Sequence, residues 1–171
     1  AQTLTSLAGR HDVVFGTTVS GRPSDVPGAE SMVGLMINTV PVRARLTPTA
    51  TTADLLAQLH DAHQRTIDHQ HVALTEIHRI TGHEQLFDTL FVFENYPIDG
   101  TGTAAGGKLA VTGVAARETN HYPLTLQAMP GPEIGVRIEY DTATFTASAV
   151  DAIARRFDRV VAAMIADPRQ R

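Results

Sequence analysis

Met32-Val-Gly-Leu-Met-Ile-Asn-Thr-Val-Pro-Val-Arg-Ala-Arg-Leu46 changes its hydrophobic period partway along. Up to Ile37 it is a short continuous apolar run, which periodicity alone assigns to neither helix nor strand. From Val40 it alternates, with Val40, Val42, Ala44 and Leu46 on one side and Arg43 and Arg45 on the other. A period of two with one apolar face is a half-buried strand. Pro41 has no N–H to give a neighbour, so it predicts a sheet edge or an irregular start. On the N-terminal side, Asp12-Val-Val-Phe-Gly-Thr-Thr-Val-Ser20 is rich in β-branched residues and predicts a buried strand. A polar loop with Pro23, Pro27 and Gly28 separates the two.

On the C-terminal side, Thr51 and Asp54 predict a capping box. Leu55, Leu56, Leu59, Ala62, Thr66 and Ile67 follow at helical spacing and predict one buried stripe. A shorter helix carries Leu74, Ile77 and Ile80 and ends on Gly82 as a left-handed cap. Leu90-Phe-Val-Phe93 predicts a fully buried strand. Pro97 to Gly107 reads as a flexible loop, and Leu109–Val114, Leu124–Ala128 and Ile134–Tyr140 predict further strands. Met129-Pro-Gly-Pro-Glu133 makes a hairpin of the last two. Thr146 caps a final helix bearing Val150, Ile153, Phe157, Val160 and Met164, with Pro168 beyond its end. Leu4 to Arg10 reads as the tail of a truncated helix capped by Gly9. The order β-β-α-α-β-β-β-β-α has no internal repeat and predicts an α+β fold, a mixed β-sheet with helices packed against it.

The 171 residues suit one domain. Hydrophobic residues at 43% supply a core, too apolar a composition for a disordered chain. No apolar run approaches the ~20 residues of a membrane helix, and no secretory leader is visible. A net charge of −4 with scattered Lys and Arg offers no basic cluster for nucleic acid. The absence of cysteine excludes disulfides, thiolate metal ligands and cysteine nucleophiles. It fits a reducing compartment, and a cytoplasmic location is expected.

Eight histidines raise the question of a metal. His60 and His63 are three apart on the long helix, with His69 and His71 nearby, but no Glu stands beside them as in the helical zinc pattern. No metal site is expected. Ser20 lacks the Gly-x-Ser-x-Gly elbow of a hydrolase, and the glycines from Gly100 to Gly107 lack the Lys-Ser/Thr of a phosphate loop. The residues alone define no self-sufficient catalytic constellation.

Four ordered blocks carry more information. They are Val14-Phe-Gly-Thr-Thr-Val-Ser-Gly-Arg-Pro23, Met32 to Arg43, His69-Gln-His-Val-Ala-Leu74 and Arg117-Glu-Thr-Asn-His-Tyr-Pro-Leu124. Together, and with Phe87 to Pro97, they resemble the C-terminal half of a nonribosomal peptide synthetase condensation domain. The third block departs from the family pattern by losing an aromatic residue, the fourth by Glu for Asp and Asn for Ser. The resemblance implies one chloramphenicol-acetyltransferase-like lobe over residues 1–171, beginning in the tail of a helix at 1–10. The N-terminal lobe, with its HHxxxDG motif, would lie outside, since no His-His pair occurs here. Asp167-Pro168 resembles the start of a linker to an adenylation domain.

What the resemblance implies is the acceptor-side half of an amide-forming acyltransferase, inactive by itself. Its expected partners are the N-terminal lobe, peptidyl carrier proteins and the adjacent adenylation domain. No cofactor would bind directly; phosphopantetheine arms would arrive on the carriers. Asn38, Ser20, Gly34 and Thr39 would line the substrate tunnel. Arg117 and Glu118 would brace the lobe interface as an ion pair, with His69, Gln70 and Tyr122 in architectural places. Gly16 and Gly34 would permit close backbone approach. For Asn38 two roles stay open, orienting an amine or acyl oxygen, or satisfying backbone groups where the strand begins. Two alternatives stand beside this reading: a non-catalytic recruitment platform, and an epimerisation-domain relative, from which Gly34 to Pro41 departs.

Overall fold

The structure, a computed structural model, describes residues 1–22, 26–94 and 120–169. Strands β1 (Asp12–Val19), β2 (Asn38–Arg45), β3 (Thr89–Phe93), β4 (Leu124–Met129) and β5 (Gly135–Tyr140) form one sheet in the order β2-β1-β3-β4-β5. β1 pairs antiparallel with β2 and parallel with β3, β3 is parallel to β4, and β4 and β5 form the expected antiparallel hairpin. The sheet is mixed. Helices α1 (Gln2–Ala8), α2 (Thr52–Thr66), α3 (Leu74–Thr81) and α4 (Ala147–Ala166) complete the described fold. The expected strand Leu109–Val114 and loop Pro97–Gly107 lie outside the described residues.

β2 is an edge strand, the position Pro41 requires. Its alternation holds: Ala44 is fully buried beside Val13 and Leu55, and Leu4, Leu46 and Leu59 pack against that cluster. Arg43 and Arg45 face solvent, where Arg43 grips Asp12 through two bonds of 2.9 and 2.6 Å. On the same side of the sheet as α1 and α4, Phe15, Phe91, Leu126, Ile153 and Phe157 enclose an apolar space of about 200 Å³.

Three expectations need correction. α2 buries a narrower stripe than its pattern suggests: Leu55 is buried, but Leu56 and Ile67 are 51% and 39% exposed. The reason is that α2 leans on the edge strand, so only one narrow line of side chains finds cover. Ile80 of α3 is likewise exposed. β3 is not fully buried, because Phe93 is half exposed where the strand borders an open cleft. The apolar run Met32–Ile37, which periodicity left unassigned, is irregular chain following a 3-10 turn at Ala29–Ser31, with Val33 and Leu35 exposed.

Local signals fare better. Gly9 and Gly82 cap α1 and α3 in the left-handed region, and Thr146 caps α4. Gly16 meets the ring of Phe87, where a Cβ would overlap it. Gly34 has nothing within 4 Å, so its expected close approach does not occur. At the start of α2, Thr51 Oγ1 accepts from Asp54 N at 3.1 Å and Asp54 Oδ2 accepts from Thr51 N at 2.8 Å. Thr51→Ala should cost about 1 kcal/mol in a thermal melt. The Thr51 backbone and hydroxyl hold Asp54 below the usual carboxylate range, as Arg43 holds Asp12. Depressed carboxylates stabilise the fold above their unfolded pKa, so Tm should fall as pH drops through their folded values.

Candidate functional site

The sheet face opposite α1 and α4 carries an open cleft of about 620 Å³. Strand alternation decides what lines it: β4 sends Leu124 and Leu126 to the apolar side, and Thr125 and Gln127 to the cleft. Thr18 and Ser20 from the end of β1, Leu90 and Val92 of β3 and Glu139 of β5 share that face. The irregular segment from Gly34 to Ile37 forms a wall.

That wall has no secondary structure of its own and is clamped by side chains and close approach. Arg22 Nη1 donates to the carbonyl of Ala29 and, at 3.1 Å, to that of Met32. Gly21, with φ 61°, abuts the carbonyl of Met36, where any Cβ would collide. Asn38 secures the far end. Its Nδ2 donates to the carbonyls of Gln70 and Val72, both at 2.8 Å, and its Oδ1 accepts from Thr39 N at 2.9 Å. Both amide hydrogens are thereby used on backbone. These are the bonds of the backbone-satisfying role.

Of the four residues expected on the tunnel, Ser20 and Gly34 line the cleft, while Asn38 and Thr39 lie outside its lining. Ser20 Oγ accepts a long 3.4 Å bond from Arg22 N. His69 and Gln70 sit in the turn after α2, where Gln70 supplies one of the carbonyls that Asn38 takes. Tyr122 stacks on Phe87 with centroids 5.5 Å apart and planes at 24°, and burial pushes its phenol pKa up. Arg117 and Glu118 lie outside the described residues.

The sequence reading gave no role to Asn120, which organises the far side. Its Oδ1 accepts from Tyr122 N at 2.9 Å and from Thr125 Oγ1 at 3.1 Å, and its Nδ2 donates to Glu139 Oε2 at 3.4 Å. Gly21, Arg22 and Asn120 all fall within the quoted blocks, the one signal that could have found them. Among the described residues no histidine lines the cleft, and the ionisable groups that do are Arg22, Glu94 and Glu139. Nor, among those described residues, does the cleft hold a nucleophile–base pair. Among the described residues there is no cluster of three or more metal-ligating side chains, and no helix long and apolar enough to cross a membrane.

The described residues thus form an α+β lobe, a five-stranded mixed sheet with α1 and α4 on one face and an open cleft on the other. The family model described as Condensation domain matches residues 1–171. The chain belongs to that family. Tyrocidine synthase 2 of Brevibacillus parabrevis is 34% identical over 155 residues, 88% of this chain and 4% of that protein. Vanchrobactin synthetase VabF of Vibrio anguillarum is 40% identical over 144 residues, covering 82% and 5%. Surfactin synthase subunit 3 of Bacillus subtilis (strain 168) is 32% identical over 161 residues, covering 93% and 13%. The chain therefore spans a small part of each of these relatives. The crystal structure of the starter condensation domain of rhizomide synthetase RzmA shares the fold, with TM-score 0.82 at 24% identity over 99% of this chain and 41% of that one. The chloramphenicol-acetyltransferase-like fold implied by the four blocks is thus the fold observed.

Proposed function

We propose that this chain is the C-terminal, acceptor-side lobe of a condensation domain that joins carrier-tethered aminoacyl or peptidyl thioesters through an amide bond. The observation that carries the reading is the family match over residues 1–171, in a chain that contains no His-His pair and, among the described residues, no histidine at its cleft. Two further facts support it. The chain covers 41% of the starter condensation domain it matches in fold, a share suited to one of two lobes. Val33 beside the cleft wall and Leu35 on it are exposed apolar residues, a surface suited to cover by a second lobe.

In this reading the acceptor amine attacks the thioester carbonyl, the pantetheine thiol leaves, and the amine proton passes to a histidine of the N-terminal lobe. This chain contributes positioning of two tethered reactants. Phosphopantetheine arms are then part of the substrate, and the carrier proteins, N-terminal lobe and adenylation domain are its partners, in the cytoplasm.

The test is reconstitution with two loaded carrier proteins. The chain joined to a lobe bearing HHxxxDG should give the amide product, and the chain alone should give none above background. Product from the chain alone, or none from the joined pair when it is folded and both carriers are loaded, would overturn the proposal.

A further inference from the structure

The two edges of the sheet are finished differently. At β2, Leu46 N donates to the His11 carbonyl at 2.7 Å, so the alternation of an antiparallel pair turns the backbone groups of Thr39, Pro41, Arg43 and Arg45 outward. Most of that edge is already taken. Thr39 N–H donates to Asn38 Oδ1, Pro41 has no N–H, and the N–H and C=O of Arg45 bond the Gln58 side chain at 2.8 and 3.1 Å. At β5, Asp141 N donates to the Pro123 carbonyl at 3.0 Å, and the same alternation turns Val136, Ile138 and Tyr140 outward. Among the described residues β5 pairs with β4 alone, and no strand takes those outward groups. Val136 is 42% exposed on this strand. An open edge of this kind is a template for a further strand.

We infer that β5 pairs with β5 of a second copy of this chain, antiparallel about a two-fold axis at Ile138. Charge chooses both the occupant and the register. This pairing sets Ile138 opposite its own counterpart, Val136 opposite Tyr140 of the second copy, and each Arg137 opposite a Glu139. Arg137 and Glu139 then fall at the narrow, non-hydrogen-bonded positions, where facing side chains come closest. Sliding two residues one way sets Arg137 against Arg137, and the other way Glu139 against Glu139. Sliding by one residue sets outward groups against groups already bonded to β4, so no ladder forms. Within one copy Arg137 Nη1 and Glu139 Oε1 are 3.8 Å apart, a loose pair with side chains 47% and 24% exposed, which leaves both open to cross-strand partners. A strand bearing one sign of charge would meet a like charge at one of the two positions; the alternating pair fits its own image. Val136 and Tyr140, on the opposite face of the strand, add a β-branched–aromatic contact. The interface is isologous and closes at a dimer, one sheet running through both copies. It makes no use of the proposed reaction.

The test is sedimentation of the 171-residue chain over a concentration range, with amide exchange followed by NMR. A reversible dimer is expected, with Kd on the order of 100 μM for so small an interface. The amides of Val136, Ile138 and Tyr140 should gain protection as concentration rises, while those of Arg137 and Glu139, already bonded to β4, should not change. Arg137→Glu and Glu139→Arg each bring like charges face to face, and each should weaken the dimer about tenfold. An equal mixture of the two variants should associate again, because every facing pair is then of opposite sign. A chain that stays monomeric to about 1 mM overturns the inference. So does a dimer indifferent to both reversals, as one built on the exposed Val33 and Leu35 would be, or folded variants whose mixture stays monomeric. Outward amides already protected in the monomer, as another segment of the chain lying on the edge would cause, also overturn it. If a variant does not fold, the wild-type exchange pattern decides: protection gained with concentration at those three amides supports the pairing, and its absence refutes it. No turnover is read, so the outcome is separate from that of the reconstituted condensation reaction.

Discussion

Gly21→Ala should destabilise the chain by about 2–4 kcal/mol and loosen the cleft wall with it. Two costs combine. Gly21 holds φ at 61°, a region that L-residues enter at a cost of about 1–2 kcal/mol. The added methyl would also meet the Met36 carbonyl, which is backbone and cannot swing aside as a side chain would. Gly9 supplies an internal control, since it has the same φ of 61° with nothing within 4 Å of the place a methyl would take. Gly9→Ala therefore reports the conformational cost alone, and the difference between the two urea midpoints isolates the collision. The functional consequence follows from position. Leu35, Met36 and Ile37 line the cleft, so displacing Met36 moves the wall on which a ligand would lie. A Gly21→Ala variant no less stable than Gly9→Ala would show that the wall is not held by this contact.

The contrast between those glycines also shows what a sequence can disclose. Gly9 and Gly82 end helices, and that role is written in the residues just before them, as that of the Thr51 and Thr146 caps is written in the residues just after them. Pro41 marks an edge because its missing N–H is a property of the residue itself. Gly21 is different, because its partner Met36 is brought against it only by the pairing of β1 with β2. Leu56, Ile67 and Phe93 have the right hydrophobic character, but their burial depends on whether another element arrives to cover them, and none does among the described residues. The cleft floor was partly legible. Leu124-Thr-Leu-Gln-Ala-Met129 places two polar residues two apart in an otherwise apolar strand, which marks a face that meets something other than a hydrophobic core. Ser20 and Gly34 of the family blocks line the cleft, but nothing in those blocks indicates that Arg22 and Asn120 hold its two sides.

Asn38→Ala should lower stability by about 1–3 kcal/mol, in contrast to the near-neutral effect that a purely ligand-facing amide predicts. The variant strands the carbonyls of Gln70 and Val72 and the N–H of Thr39, all of which the Asn38 amide now serves. Water can reach this half-buried site in part, which keeps the cost below that of a fully buried network. Asn38→Asp separates the donors from the acceptor. It preserves an oxygen for Thr39 N–H but turns a negative charge toward two carbonyls, so the folded state should raise the new carboxyl's pKa. A raised folded pKa means stability present below the unfolded value and lost as pH rises through the folded one. Asn38→Asp should accordingly come closest to wild type in mild acid and fall away toward neutrality, while Asn38→Ala shows no such dependence. Parallel urea titrations at both pH values measure this directly. Were Asn38→Ala as stable as wild type but slower in the reconstituted condensation reaction, the amide would be acting on the substrate and not on the turn after α2.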